Sequence, residues 1–100
     1  MGKYNVQYVS SAVNDLEDIF TYIAEDNTRA AESFLNEIDE AIIHLEGFPN
    51  MGVTPKNRRI ANKGYKYLIV NDYLVFYVIA EDIIKIRRII SSKRNYMKLI

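Results

Sequence analysis

Residues 3–9, KYNVQYV, set Tyr4, Val6 and Tyr8 in alternation with Asn5, Gln7 and Val9. A period of two predicts a half-buried first strand. From Ser10 the period lengthens. Val13, Leu16, Phe20 and Ile23 recur every three or four residues, and Ala12 and Ile19 widen the stripe. Such spacing predicts an amphipathic helix. Ser10 and Ser11 are its expected N-caps. Asp15, Glu17 and Asp18 fall early in it, where the positive end of the helix dipole favours carboxylates. AEDNT at 24–28 interrupts the pattern, and Asn27 or Thr28 can cap a second helix with Ala31, Phe34, Leu35, Ile38, Ile42 and Leu45 on one face. Gly47 suits the position just past that helix, and Phe48-Pro49 can pack back and prevent its continuation.

Beyond Gly47 the chemistry changes. GFPNMGVTPKN at 47–57 has the turn formers of a loop. YKYLIV (65–70) and YLVFYVIA (73–80) flank Asn71-Asp72, a tight hairpin signal, and IIKIRRII (83–90) follows a turn at Glu81-Asp82. Because 73–80 is apolar on both faces, it is expected to be the central strand, with helices on one side. The order β-α-α-β-β-β predicts one α+β domain over residues 1–100. Its architecture is a two-helix hairpin on a small twisted antiparallel sheet, with the first strand joining the edge of a three-strand meander. Along 83–90, strict alternation groups Ile84, Ile86, Arg88 and Ile90 on one face, and Ile83, Lys85, Arg87 and Ile89 on the other. Neither face is purely apolar. One arginine must therefore reach the end of the core, where it needs an anionic partner such as a helix acid.

Composition is that of a globular chain: 100 residues, 49% hydrophobic, 26% charged, and no cysteine. With no thiolate and a single histidine, no cofactor or transition-metal site is expected. His44 sits near the end of the second helix, where it can meet the dipole. The start lacks an apolar leader-like run, and the longest apolar runs are too short for a membrane helix, so a soluble cytoplasmic protein is expected. The glycines at 47, 52 and 64 match no phosphate loop. Glu17-Asp18 and Asp39-Glu40 are neighbours that do not face one another on a helix, which leaves them as solvated pairs.

The net charge of zero hides a division. Residues 1–55 hold two bases against ten acids, and residues 56–100 hold eleven bases against three acids. This asymmetry points either to a polyanion partner for the basic half, or to an acidic helical layer compensating a basic sheet. Lys56, Arg58, Arg59 and Lys63 precede the meander, and Lys66 stands between Tyr65 and Tyr67. Arg87, Arg88, Lys93, Arg94 and Tyr96 lie in or just after the last strand.

EDIFTYIAED, AAESFLNEIDEAIIHLEGFPNMG and RRIANKGYKYLIVNDYLVFYVIAEDIIKIRRIISSKRNY, taken in that order, resemble the RelE/ParE superfamily of bacterial toxins over nearly the whole chain. The resemblance implies the toxin of a type II toxin–antitoxin module, of the kind associated with plasmid stabilization. Its implied partner is a cognate antitoxin, acidic and partly disordered, held in a hetero-oligomer. RelE-like members act as mRNA interferases, often on the ribosome, whereas ParE-like members poison DNA gyrase. For RNA cleavage the resemblance implies Lys66 as base, Arg94 as the phosphate-holding cation and Tyr96 as acid or stacking platform. Lys56, Arg58, Arg59, Lys63, Arg88 and Lys93 would bind nucleic acid or another target. These roles put ribosome-linked mRNA cleavage first, ahead of gyrase inhibition and of an inactive antitoxin-binding module. Two positions depart from the RelE-like pattern. Leu74 follows Tyr73 where an arginine is common, and Leu68 occupies the place of a second strand lysine.

Overall fold

A computed structural model describes residues 4–100. Strand β1 (Asn5–Tyr8) leads into helices α1 (Ser10–Asp26) and α2 (Thr28–Gly47). A loop and a short helix α3 (Arg58–Asn62) precede β2 (Lys66–Val70), β3 (Tyr73–Ala80) and β4 (Ile83–Ser91), and a 3-10 turn spans Tyr96–Lys98. The two-helix hairpin on a sheet is as expected. The sheet order is β1-β4-β3-β2. The meander β2-β3-β4 is antiparallel, but β1 joins β4 in parallel, so the sheet as a whole is mixed. The long α1–α2 crossover returns the chain on the helical side, which lets the two β strands run the same way.

Strand β3 is central, and it is buried on both faces. Val75 and Tyr77 point toward the helices, where Ala12, Phe34, Ile38, Ile42, Leu45, Ile84, Ile86 and Ile89 complete the main core. Leu74 and Phe76 point away and join Ile90 in a second, smaller core covered by Tyr65, Tyr67, Tyr96, Leu99 and Ile100. The C-terminal segment thus supplies the cover that the helices cannot give to the far face.

The alternation expected along β4 is broken by a bulge. Phe76 pairs with Arg88, and Tyr77 pairs with Ile86, so Arg87 is an extra residue. One inserted residue exchanges the faces beyond it. Ile84 and Ile86 therefore share the helix side with Ile89, and Ile90 faces the second core. Arg88 keeps the pleat parity of Ile90 and stays only partly buried, so that the fully buried residues on both faces are apolar.

Several ends differ from expectation. Neither Ser10 nor Ser11 caps α1; Val9 holds the N-cap position with no side-chain hydrogen bond. Val9 still belongs to the sheet through its N–H to the Ile86 carbonyl at 3.1 Å, so strand passes into helix without a spacer. Val13 lies outside the buried stripe at 40% exposure, and Ala12 is buried in its place. Asn27 does cap α2, its Oδ1 accepting from Ala30 N–H at 3.1 Å. Gly47 is the last helical residue rather than a left-handed terminator, and Phe48 is 68% exposed rather than packed back. The loop is held instead by Tyr77. Its hydroxyl donates to Pro49 carbonyl at 2.8 Å and accepts from Gly52 N–H at 3.0 Å. A Cβ on Gly52 would lie 2.5 Å from that hydroxyl, so only glycine fits there.

Both hairpin turns use a left-handed residue, Asn71 at φ 53° and Glu81 at φ 58°. Asparagine tolerates this region, but glutamate pays a steric penalty. Glu81→Gly should raise stability by about 0.5 kcal/mol, the relieved strain exceeding glycine's extra chain entropy. Urea midpoints of the two proteins would measure it; a fall would contradict the strain.

Burial raises the ionisation of Tyr77 above its ordinary value of 10.0 and outweighs the Gly52 N–H, which favours the phenolate. Tyr8 is raised by burial and by Asp39, and Tyr73 by burial with Tyr22 and Asp72. A raised folded-state value means that stability is fully present below pH 10 and is lost as pH climbs through the folded value. Thermal melts above pH 10 should therefore fall steeply, and Tyr77→Phe should flatten that fall. Equal slopes in the two proteins would remove Tyr77 from the account.

Candidate functional site

The sequence places two sets of cations near aromatic residues, and the fold treats them differently. Lys66 opens β2 and pairs in register with Tyr77. It shares pleat parity with Leu68 and Val70, both in the helix-side core. Its Nζ meets Thr54 Oγ1 at 3.3 Å. Tyr65 and Tyr67, its sequence neighbours, point to the opposite face.

Arg94 follows the far end of β4. There Tyr73 pairs with Ser91, and Ser92 N–H reaches Asp72 carbonyl at 2.8 Å. Four residue steps along β2, roughly 13 Å, separate Lys66 from the Val70–Tyr73 end of the hairpin. Lys66 and Arg94 are thus placed at different ends of the sheet. Arg94 is exposed and lines a groove of about 430 Å³ with Asp15, Asp18, Tyr22, Tyr73 and Arg88. Among the described residues its guanidinium has no hydrogen bond.

Tyr96 turns onto the second core. Its ring lies 5.1 Å from that of Phe76, which also contacts Tyr67 at 5.4 Å and Tyr65 at 6.3 Å. Phe76 is fully buried at the centre of this aromatic group. Leu74, where RelE-like chains carry arginine, is only 7% exposed under the same cover. Leu68 is equally buried on the helix side. Neither place is open to a phosphate.

Arg88 is engaged with the protein itself. Its Nε and Nη2 donate to the Asp15 carboxylate at 2.7 and 3.1 Å, and its Nη1 donates to Leu99 carbonyl at 3.0 Å. The Asp15 bond holds the Arg88 ionisation above its already high ordinary value. Here is the helix acid that an arginine near the core required.

Arg59 also serves the C-terminal turn, donating from Nη2 to Met97 carbonyl at 2.7 Å. Asn57 caps α3 through Ile60 N–H and donates from Nδ2 to Met97 Sδ at 3.1 Å. Arg58, Lys63, Lys56 and Lys93 are exposed. The fold therefore brings α3, with Arg58, Arg59 and Lys63, beside the C-terminal turn and its aromatic floor. Lys66 stays outside this group. Sequence reasoning missed Phe76, Asn57 and Asp15. An aromatic residue in a strand already apolar on both faces was the available signal for Phe76. Nothing local marked the other two.

Among the described residues, no group of three or more His, Cys, Asp or Glu could hold a metal, and no helix is long and apolar enough to cross a membrane.

A search of curated proteins returns no match. A solved structure titled "Chromosomal ParDE TA system from P. aeruginosa" shares the fold, with a TM-score of 0.71 at 17% identity, covering 89% of this chain and 96% of that one. Residues 6–96 match the family described as ParE toxin of type II toxin-antitoxin system, parDE. That match takes in all three helices, the sheet but for Asn5, and the basic stretch through Tyr96, and by it the chain belongs to the ParE toxin family.

Proposed function

We propose that this type II toxin inhibits growth by binding DNA gyrase, without cleaving nucleic acid. The observation that supports this reading is the separation of Lys66 from Arg94, with Leu74 buried between the strands where a phosphate-binding cation would be needed. General-base and phosphate-holding groups must lie within hydrogen-bond reach of one scissile group. What remains is a binding surface: Arg58 and Lys63 are exposed cations on α3 beside a floor of Tyr65, Tyr67 and Tyr96, and Lys93 and Arg94 are exposed just past β4, Arg94 in the groove against α1. A family member of this kind has an antitoxin as partner, and an acidic antitoxin segment would complement the same cations.

In a purified supercoiling assay the protein should block gyrase, and Lys93→Ala with Arg94→Ala should relieve the block at least tenfold while leaving the melting temperature unchanged. Messages translated in a cell-free system should stay intact. Intact supercoiling activity together with cut messages would overturn the proposal in favour of mRNA cleavage. That second reading keeps one favourable observation, the unengaged guanidinium of Arg94.

A further inference from the structure

Charge and layer coincide in this fold. All ten carboxylate residues of positions 1–55 lie on α1 and α2, and the other three sit in the turns at 71–72 and 81–82. The opposite face of the sheet carries the reverse sign. Lys85 pairs with Val78, which shares the pleat parity of Leu74 and Phe76 and so faces away from the helices. Arg58 on α3 and Lys63 at its end are exposed, as is Lys98 on the C-terminal turn that Arg59 holds. No acid side chain lies in α3, in β2 or in the segment after β4. The two sides do not neutralise one another. Among the described residues one ion pair, Arg88 with Asp15 at 2.7 Å, joins them. The sheet keeps the rest apart, and physiological salt screens exposed charges beyond about 8 Å. An acidic helical layer compensating a basic sheet is therefore not what the fold builds.

We propose that the far face binds the phosphate backbone of a DNA duplex, without reading its sequence. Its cations stand on three separate elements, α3, β4 and the C-terminal turn, as a spread of point charges. A duplex presents a charge about every 1.7 Å along its axis and matches such a spread, whereas an acidic peptide segment follows one line. Tyr65, Tyr67 and Tyr96 lie partly exposed on this face, and their hydroxyls can donate to phosphate oxygens. The carboxylates of α1 and α2 repel the same duplex, so it is admitted on one side of the molecule only. The choice of duplex DNA rests on the gyrase reading above, since that enzyme holds one; the phosphate chemistry of the face does not.

Fluorescence anisotropy of a labelled random-sequence duplex, titrated with the isolated toxin, tests this without gyrase. Affinity should fall steeply with salt, its logarithm dropping by about 0.9 per phosphate contacted for each tenfold rise in concentration. A change of duplex sequence should leave it unaltered. Arg58→Ala with Lys63→Ala should weaken binding at least tenfold and make the salt slope shallower by about two, with the thermal melt unchanged because both side chains are exposed. Arg29→Ala, on the helical layer, should bind as the wild type does. No binding at low salt, or binding indifferent to the Arg58 and Lys63 changes, overturns the proposal. Tighter binding of a single-stranded RNA of the same length overturns the assignment to duplex DNA. A double variant that keeps its DNA affinity but loses the antitoxin also overturns it, since the face would then belong to an acidic protein. Duplex binding that follows these variants in a toxin that leaves supercoiling untouched upholds the proposal and removes the gyrase reading.

Discussion

Asp15→Ala should lower the stability of the folded chain by about 2–3 kcal/mol, more than its place on a helix surface suggests. The carboxylate accepts three hydrogen bonds, from Arg88 Nε, Arg88 Nη2 and the backbone N–H of Ile89 at 2.9 Å. The last matters because β1 ends opposite Ile86, leaving the following stretch of β4 as an open edge. Asp15 closes that edge from α1. Its removal leaves a backbone donor unsatisfied and a guanidinium whose side chain is only 26% exposed without its counter-charge. The partial exposure holds the estimate below that for a fully buried pair. For a domain of this size the melting temperature should fall by roughly 10–20 °C. Arg88→Ala should cost less, since the carboxylate keeps the Ile89 N–H and can be hydrated, and the double variant should fall short of the sum. A change under about 0.5 kcal/mol in Asp15→Ala would mean that the triple contact contributes nothing.

Phe76→Ala should cost about 3–5 kcal/mol, the range for emptying a fully buried aromatic site. The ring is also the floor on which Tyr96 rests, so the consequences reach beyond stability. Arg59 and Arg88 hold the carbonyls of Met97 and Leu99, but apolar contact with Leu74, Phe76 and Ile90 is what seats the segment between them. Phe76→Leu separates the two effects. It should retain the fold at a cost of about 1 kcal/mol while loosening the Tyr96 contact. Amide exchange over residues 95–100 should accelerate in that variant, and growth inhibition should weaken. Unchanged exchange would show that the two arginines suffice to seat the segment.

The two long helices, the four strands and their order were legible because each rests on local periodicity and on short-range stops such as Asn27 and Asn71; the short α3 (Arg58–Asn62) was not. The central place of β3 was legible too, since a strand apolar on both faces must be covered on both. Arg88 could be assigned an acidic partner in kind, because a cation near a core requires one; that the partner is Asp15 was not legible across 73 residues of sequence separation. Strict alternation misassigned Ile89 and Ile90, because a bulge is set by how β4 meets β3 rather than by its own residues. The RelE-like roles of Lys66 and Arg94 depended on the two converging, and proximity across a sheet depends on register and pleat parity.

The sequence by itself determined the α+β class, the two apolar surfaces of β3 and the concentration of positive charge in the second half. Each follows from side-chain chemistry repeated at the spacing of its own element. Only the tertiary structure decided that β1 enters in parallel, that Arg87 is a bulge, that Arg88 serves α1 and the C-terminal turn, and that Lys66 and Arg94 stand apart. Those outcomes come from pairing segments distant in the chain, where one residue of register moves a side chain to the other face of the sheet.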